Sequence, residues 1–264
     1  MSKIYDALQK ASDPHRDPEP HGGERAPSEP GPAPVPAPAA PGIDPVSPES
    51  EGPSLSDDFS RELSTLRAGI EQIFPDSAPR SLLFAGSVPG EGASTVAARF
   101  AQLLAHDPRL KVSLIDADFR NGEKRVIEPA ERGAGLASVL AGRISVSQAV
   151  KATTMGRLDV LPSEGVFGNV YQVCSEEHVA PLLAALQQKY HYTLLDAAPV
   201  LSAPETPVLS GLVDGVVVVV RAGRTKREIV RRSLDLLRKY HARVLGVVMN
   251  RQQYVIPEFI YRRL

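Results

Sequence analysis

The sequence predicts an α/β domain on a doubly wound, mainly parallel sheet, preceded by a disordered Pro-rich tether, and three observations carry that expectation. From about residue 80 onward, short β-rich runs alternate with longer segments of helical period. The five consecutive valines at 216–220 suit a central strand covered on both faces. The composition is 42% apolar with 5% aromatic residues and no Trp, which fits an aliphatic-rich α/β protein better than a β-sandwich or a disordered chain.

Residues 1–11 place Ile4, Ala7, Leu8 and Ala11 at helical spacing. This is a short amphipathic helix, too brief to be stable alone, and reads either as a fraying terminus or as a docking peptide. Residues 12–56 form a Pro/Ala-rich linker, expected to be disordered and partly polyproline II, since 13 of the chain's 24 prolines lie in the first 53 residues. From 57 the pattern changes. Phe59, Leu63, Leu66, Ile70 and Ile73 recur at three- and four-residue spacing after a Ser56 or Asp57 cap, with Pro75 beyond the end. Strands are then expected at 81–85, 111–115, 158–161, 192–195, 215–220 and 244–249. Helices are expected at 94–105, 136–140, 176–190, 205–212 and 226–240. The domain assignment is therefore one α/β domain over 57–264 behind its tether.

The net charge of −1 is a cancellation, because residues 1–79 sum to −8 and residues 80–264 to +7. No strongly basic balance points to a nucleic-acid partner. Residues 221–264 alone carry +9, which reads as a solvated basic face or as a surface for an acidic segment or the inner leaflet. The single cysteine, Cys174, excludes an internal disulfide, and the first residues lack the apolar run of a secretory signal, so a cytoplasmic setting is expected. No run of about 18 apolar residues exists, and any membrane association is expected to be peripheral and through a partner.

Between the first strand and the first long helix of the domain lies Ser87-Val88-Pro89-Gly90-Glu91-Gly92-Ala93-Ser94-Thr95. Strand, glycine-rich turn and helix N-terminus come in the order of a P-loop. Such a loop cradles phosphates with backbone N–H groups and the positive end of the helix, and it offers a hydroxyl to Mg²⁺. Residues 89–95 are the candidate cofactor-binding residues, with Ser94 as a metal ligand. The usual signature is G-x-x-x-x-G-K-S/T. Here Ser87 stands at the first glycine and Ala93 at the lysine.

From this loop the chain resembles the bacterial tyrosine kinases of capsule and exopolysaccharide synthesis, with P-loop ATPase relatives of the MinD and ParA type. The resemblance spans about 57–250. These kinases carry S-x-x-P-G-E-G-K-S-T, so Ser87 belongs to the family pattern while Ala93 departs from it. Val88 stands where MinD-like ATPases place a further lysine. The resemblance implies ATP and Mg²⁺ as cofactors.

Leu114-Ile115-Asp116-Ala117-Asp118-Phe119-Arg120 puts two carboxylates and an arginine at a strand's C-terminal end, where open α/β sheets bind ligands. It resembles the family's D-x-D-x-R motif, whose aspartates hold Mg²⁺ and help deprotonate the attacking hydroxyl. Asp116, Asp118 and Arg120 are thereby the candidate catalytic residues, and Asp118 a metal ligand; a plain capped strand end is the structural alternative. Tyr192-Thr193-Leu194-Leu195-Asp196-Ala197-Ala198-Pro199 is similar to the family's Walker B run, usually D-T-P-P. Asp196 is the third candidate metal ligand, Ala197 and Ala198 replace Thr and Pro, and Glu205 stands for a downstream aspartate. Val247-Val248-Met249-Asn250 is similar to a G-V-V-x-N ending whose asparagine meets the adenine edge, although an asparagine also simply ends strands. The run at 135–142 supports the fold alone.

Family autokinases present a C-terminal tyrosine cluster to a neighbouring subunit. Tyr254 and Tyr261 are the candidate phosphoacceptors here, while Val255, Ile256, Phe259 and Ile260 around them favour a packed apolar tail. The family's self-association motif, E-x-x-R-x-x-R, falls on Arg61, Ser64 and Arg67, and only the last arginine fits. An active ATP-dependent tyrosine autokinase is one reading. The favoured one is a weak or inactive regulatory relative partnering a membrane polysaccharide co-polymerase, or chain-length regulator. Phosphoryl transfer relies on positive charge at the β- and γ-phosphates. Losing one hydrogen bond to a charged group costs about 1.5–3 kcal/mol, or roughly tenfold to a hundredfold in rate. Lys124 or a neighbouring subunit could in principle replace the cation. A MinD/ParA-type partitioning role is disfavoured by Val88, the P-G-E-G run and the missing lysine.

Overall fold

The computed structural model describes residues 57–74, 80–120, 126–130, 133–163 and 174–252. The chain divides after Glu51, and all of these residues lie in the unit Gly52–Leu264. The expected helix at 1–11, the linker at 12–56, Lys124, Tyr254 and Tyr261 lie outside the described residues.

Helix α1 (Asp57–Ile73) follows from the spacing of its apolar residues, burying Leu63 and Ile70 while its other face stays polar. Strand β1 (Arg80–Gly86) is buried along its whole length. Its side chains divide by the two-residue period of a strand: Leu82 and Phe84 enter one apolar layer, Leu83 and Ala85 the other. Helix α2 (Ala93–Ala105) packs with α1 in the first layer, against β1 and the next strand, β2 (Val112–Ala117).

The chain continues through α3 (Leu136–Leu140), α4 (Val146–Ala149), β3 (Lys151–Ala152), β4 (Leu158–Leu161), α5 (Glu176–Gln187) and β5 (Tyr192–Ala197). It ends with α6 (Glu205–Ser210), β6 (Gly215–Arg221), α7 (Arg227–Lys239) and β7 (Val244–Asn250). Residues of α3, α4, α5, α6 and α7 fill the second layer.

The seven strands are ordered β3-β4-β2-β5-β1-β6-β7, and every pairing is parallel except the short β3–β4 contact. From β1 the chain first builds outward on one side, to β2 and β4, then returns through β5 and crosses to β6 and β7. Connections therefore diverge around β1, and the crevice above the C-terminal ends of β1 and β5 is where such sheets take ligands. The valine run is β6, with six of its seven residues buried.

The expected strand and helix positions hold to within a few residues at their ends. Strand β2 extends two residues further than 111–115 and so carries Asp116 inside the sheet. The helix expected to run to 190 stops at Gln187, leaving Tyr190 as a buried residue beyond it whose hydroxyl donates to Asp159 Oδ2 at 2.6 Å. Helix α4 and strand β3 are additions that four- and two-residue lengths hide from any periodicity.

Candidate functional site

The loop after β1 is shaped by its glycines. Gly90 (φ 84°) and Gly92 (φ 88°) are in the left-handed region, and Gly92 caps α2. A Cβ on Gly92 would lie 2.3 Å from Asn250 Nδ2, so position 92 requires glycine on two grounds. Among the described residues no side chain caps α2. Its first-turn N–H groups are therefore open at the crevice, with Ala93, Ser94 and Thr95 in that turn.

Glu91 turns inward rather than toward the crevice and is 3% exposed. Its Oε2 accepts the Val88 N–H at 3.0 Å, and its Oε1 accepts the Thr225 hydroxyl. Its carbonyl accepts the side-chain amide of Asn250 at 2.9 Å. The Oδ1 of Asn250 in turn accepts the Arg251 N–H at 2.8 Å. Glu91 and Asn250, both expected at the nucleotide, brace the loop. Thr225 completes that brace and carries no sequence signal of its own, since a lone threonine after a strand is commonplace.

Asp116 and Asp196 stand directly opposite each other on β2 and β5. The Ser163 hydroxyl donates to Asp116 Oδ2 at 2.9 Å, and the Asp118 N–H to Asp116 Oδ1 at 3.2 Å. Burial raises the Asp116 pKa, these hydrogen bonds hold it back, and the Asp118 charge adds to the rise. Asp196 is pushed up to about 7 by burial, opposed by a hydrogen bond from Ser94 and reinforced by the charges of Asp116 and Asp118. Its Oδ1 is buried without a hydrogen-bond partner among the described residues.

That orphaned oxygen, beside the Ser94 hydroxyl and two further carboxylates, has the chemistry of a divalent-cation site. Among the described residues no group of three acidic, histidine or cysteine ligands converges on a metal. The donor set nevertheless fits Mg²⁺, which binds through one or two carboxylates and completes its octahedron with water and phosphate oxygens.

The Arg120 side chain is engaged by the segment after β5. Its Nη1 donates to the Ser202 carbonyl, and its Nε lies 3.5 Å from Glu205 Oε1. Its own N–H donates to Asp118 Oδ1 at 3.1 Å, so one residue ties Asp118 to the segment after β5. Glu205 is 2% exposed, and among the described residues its Oε1 has no hydrogen bond, only the ion pair. Ala93 is buried in the apolar layer of α1 and α2. The structure therefore brings together the loop, Ser94, Asp116, Asp118 and Asp196, with Arg120 behind them. Ser163, Ser202 and Thr225 are the partners that sequence reasoning missed.

No protein-family model matches the chain. It is similar to the tyrosine-protein kinase YwqD of Bacillus subtilis, with 32% identity over 191 residues that cover 72% of this chain and 80% of YwqD. The chain belongs to the bacterial tyrosine-kinase family. It is also similar to the succinoglycan biosynthesis transport protein ExoP of Rhizobium meliloti, 30% identical over 197 residues. That match covers 73% of this chain but only 25% of ExoP. The kinase domain of the Escherichia coli tyrosine kinase ETK has the same fold, with a TM-score of 0.65 at 22% identity, covering 75% of this chain and 79% of that one. Among the described residues no helix is long and apolar enough to cross a membrane.

Proposed function

We propose that this chain is a regulatory tyrosine-kinase-like subunit of exopolysaccharide or capsule synthesis, weak or inactive in phosphoryl transfer, which partners a membrane polysaccharide co-polymerase. The observation that carries the reading is the residue at position 93. A P-loop lysine there would place a cation on the β- and γ-phosphates, whereas Ala93 is a small apolar side chain packed into the α1–α2 layer. The loop's open N–H groups, Ser94, Asp118 and Asp196 would hold the phosphates and Mg²⁺, with Asn250 toward the adenine. The similarity to ExoP, named for succinoglycan transport, supports the pathway. Binding of Mg–ATP would serve as a signal of nucleotide state rather than as the first step of catalysis.

A second reading, an active autokinase using Asp116 and Asp118 as the carboxylates that deprotonate a tyrosine, is favoured by the retained Asp116–Asp196 pairing. The candidate acceptors are Tyr254 and Tyr261. The test is Mg–ATP binding and anti-phosphotyrosine detection on the native chain beside Ala93→Lys. Nucleotide binding without phosphotyrosine in the native chain, with phosphotyrosine gained in Ala93→Lys, supports the regulatory reading. ATP-dependent phosphotyrosine on the native chain that vanishes in Asp118→Ala overturns it.

A further inference from the structure

Strand β7 closes the sheet at one end, and among the described residues its outer edge pairs with no other strand. Edges of this kind are usually blunted by a charge, a proline or a bulge. The seven residues of β7, VLGVVMN, include no charge and no proline. Its register shift lies at the start, where Val216 pairs with Val244 and Val217 with Gly246. Leu245 is passed over there, and residues 246–250 continue in regular register with β6. Val247 is 42% exposed and Met249 62%, and the two share one face because side chains alternate along a strand.

That face is the one α7 lies on. Val218 and Val220, opposite Val247 and Met249, belong to the second apolar layer, which residues of α7 help to fill. A right-handed crossover from β6 sets α7 over β6 and β7, antiparallel to both. At about 100° per residue, the buried Ser233 and Leu237 point to the sheet. A quarter-turn on, Arg227, Arg231, Leu234 and Arg238 share a flank. The hand of the helix and of the crossover together turns that flank outward past β7, away from α6. Among the described residues the guanidinium groups of Arg227 and Arg231 have no partner, and that of Arg238 has only the exposed Asp235, at 3.0 Å. From Arg227 to Arg238 the helix rises about 16 Å, and β7 is about 20 Å long. A row of positive charge thus runs beside an open strand edge.

We propose that this edge takes a strand from a partner protein, an extended segment that turns acidic side chains, with an apolar one among them, to the α7 face. Main-chain hydrogen bonds to β7 would supply affinity, and the side chains on one face specificity. The apolar side chain would rest on Val247, and the carboxylates would meet Arg227 and Arg231 in charge-assisted pairs. A second copy of this chain fits poorly. Joining two β7 edges about a two-fold axis would bring both α7 flanks together on one face, arginine against arginine. A bilayer would offer the strand's free backbone groups no partner. The inference does not depend on whether the loop binds or cleaves ATP.

The test titrates the full chain with a capped heptapeptide, Thr-Glu-Thr-Val-Thr-Glu-Thr, one face of which reads acid, apolar, acid. Backbone amide resonances of β7 and α7 are expected to shift, and those of the phosphate loop to stay. Arg227→Glu/Arg231→Glu should weaken binding about tenfold or more, as should exchanging the peptide's Glu for Lys. A peptide methylated at its backbone nitrogens cannot donate to the edge and should not bind. Absence of shifts in β7 overturns the proposal, and so does binding indifferent to charge reversal or to methylation. Two further outcomes also overturn it by giving the face to another occupant. One is dimerisation of the peptide-free chain that Val247→Lys abolishes. The other is co-sedimentation with phosphatidylglycerol vesicles that Arg227→Glu/Arg231→Glu abolishes.

Discussion

The Asn250 side-chain amide donates to the Glu91 carbonyl at 2.9 Å, joining the last strand of the sheet to the loop after the first. The space between them is where Gly92 sits, and a methyl group there would meet the amide at 2.3 Å. Gly92→Ala is expected to lose about 1–3 kcal/mol in chemical denaturation, from the contact and from its left-handed backbone together. Asn250→Ala should cost only about 1 kcal/mol. The double variant should be more stable than the sum of the two losses predicts, because the second removes the clash created by the first.

Asp196 should make the chain less stable as pH rises. Its folded pKa, about 7, lies above the ordinary carboxylate value, so the protonated form is favoured by folding. Stability is therefore greatest below about pH 4 as far as this group is concerned, and declines as pH rises through about 7. The cost at about pH 8 is on the order of 4 kcal/mol. Asp196→Asn should flatten that slope and melt higher than the native chain at alkaline pH. Added Mg²⁺ should raise the melting temperature of the native chain and not of the variant.

Cys174 is buried, and burial followed by the charge of Glu205 pushes its pKa up to about 12. A thiol-disulfide reagent at about pH 8 is expected to leave it unmodified in the native chain and to titrate one thiol after denaturation. Fast reaction of the native chain would show that the segment around it opens.

Removal of Arg120 should destabilise through the group it leaves behind. Glu205 is 2% exposed, and among the described residues its Oε1 has only the Arg120 ion pair at 3.5 Å. Since Arg120 is half exposed, Arg120→Ala should cost about 1–2 kcal/mol rather than the larger penalty of a fully buried pair. Glu205→Gln in that background should recover part of the loss, as measured by denaturation midpoints.

The sheet could be read from the sequence because its signals are local. The valine run had to be covered on both faces, and the helix periods between strands placed the crossovers. The loop and Asp116, Asp118 and Asp196 could be found for the same reason, since each sits where a strand stops. What could not be read was the use of side chains across long sequence distances. Thr225 lies 134 residues from Glu91, Ser163 lies 47 from Asp116 and Ser202 lies 82 from Arg120. No spacing rule links such pairs, and only folding brings them together. Asn250 is instructive on the same ground: the strand-end asparagine was visible, and its grip on the loop was not.

The exact opposition of Asp116 and Asp196 rests on the pairs beneath them, Ile115 against Leu195 and Leu114 against Leu194. A slip of one residue between β2 and β5 would swing one carboxylate to the other face of the sheet and throw those aliphatic side chains out of their layers. The apolar interior thereby acts as the gauge that sets the spacing of the charges. Chemistry in such a frame is open to change one side chain at a time while the alignment of the remaining groups persists.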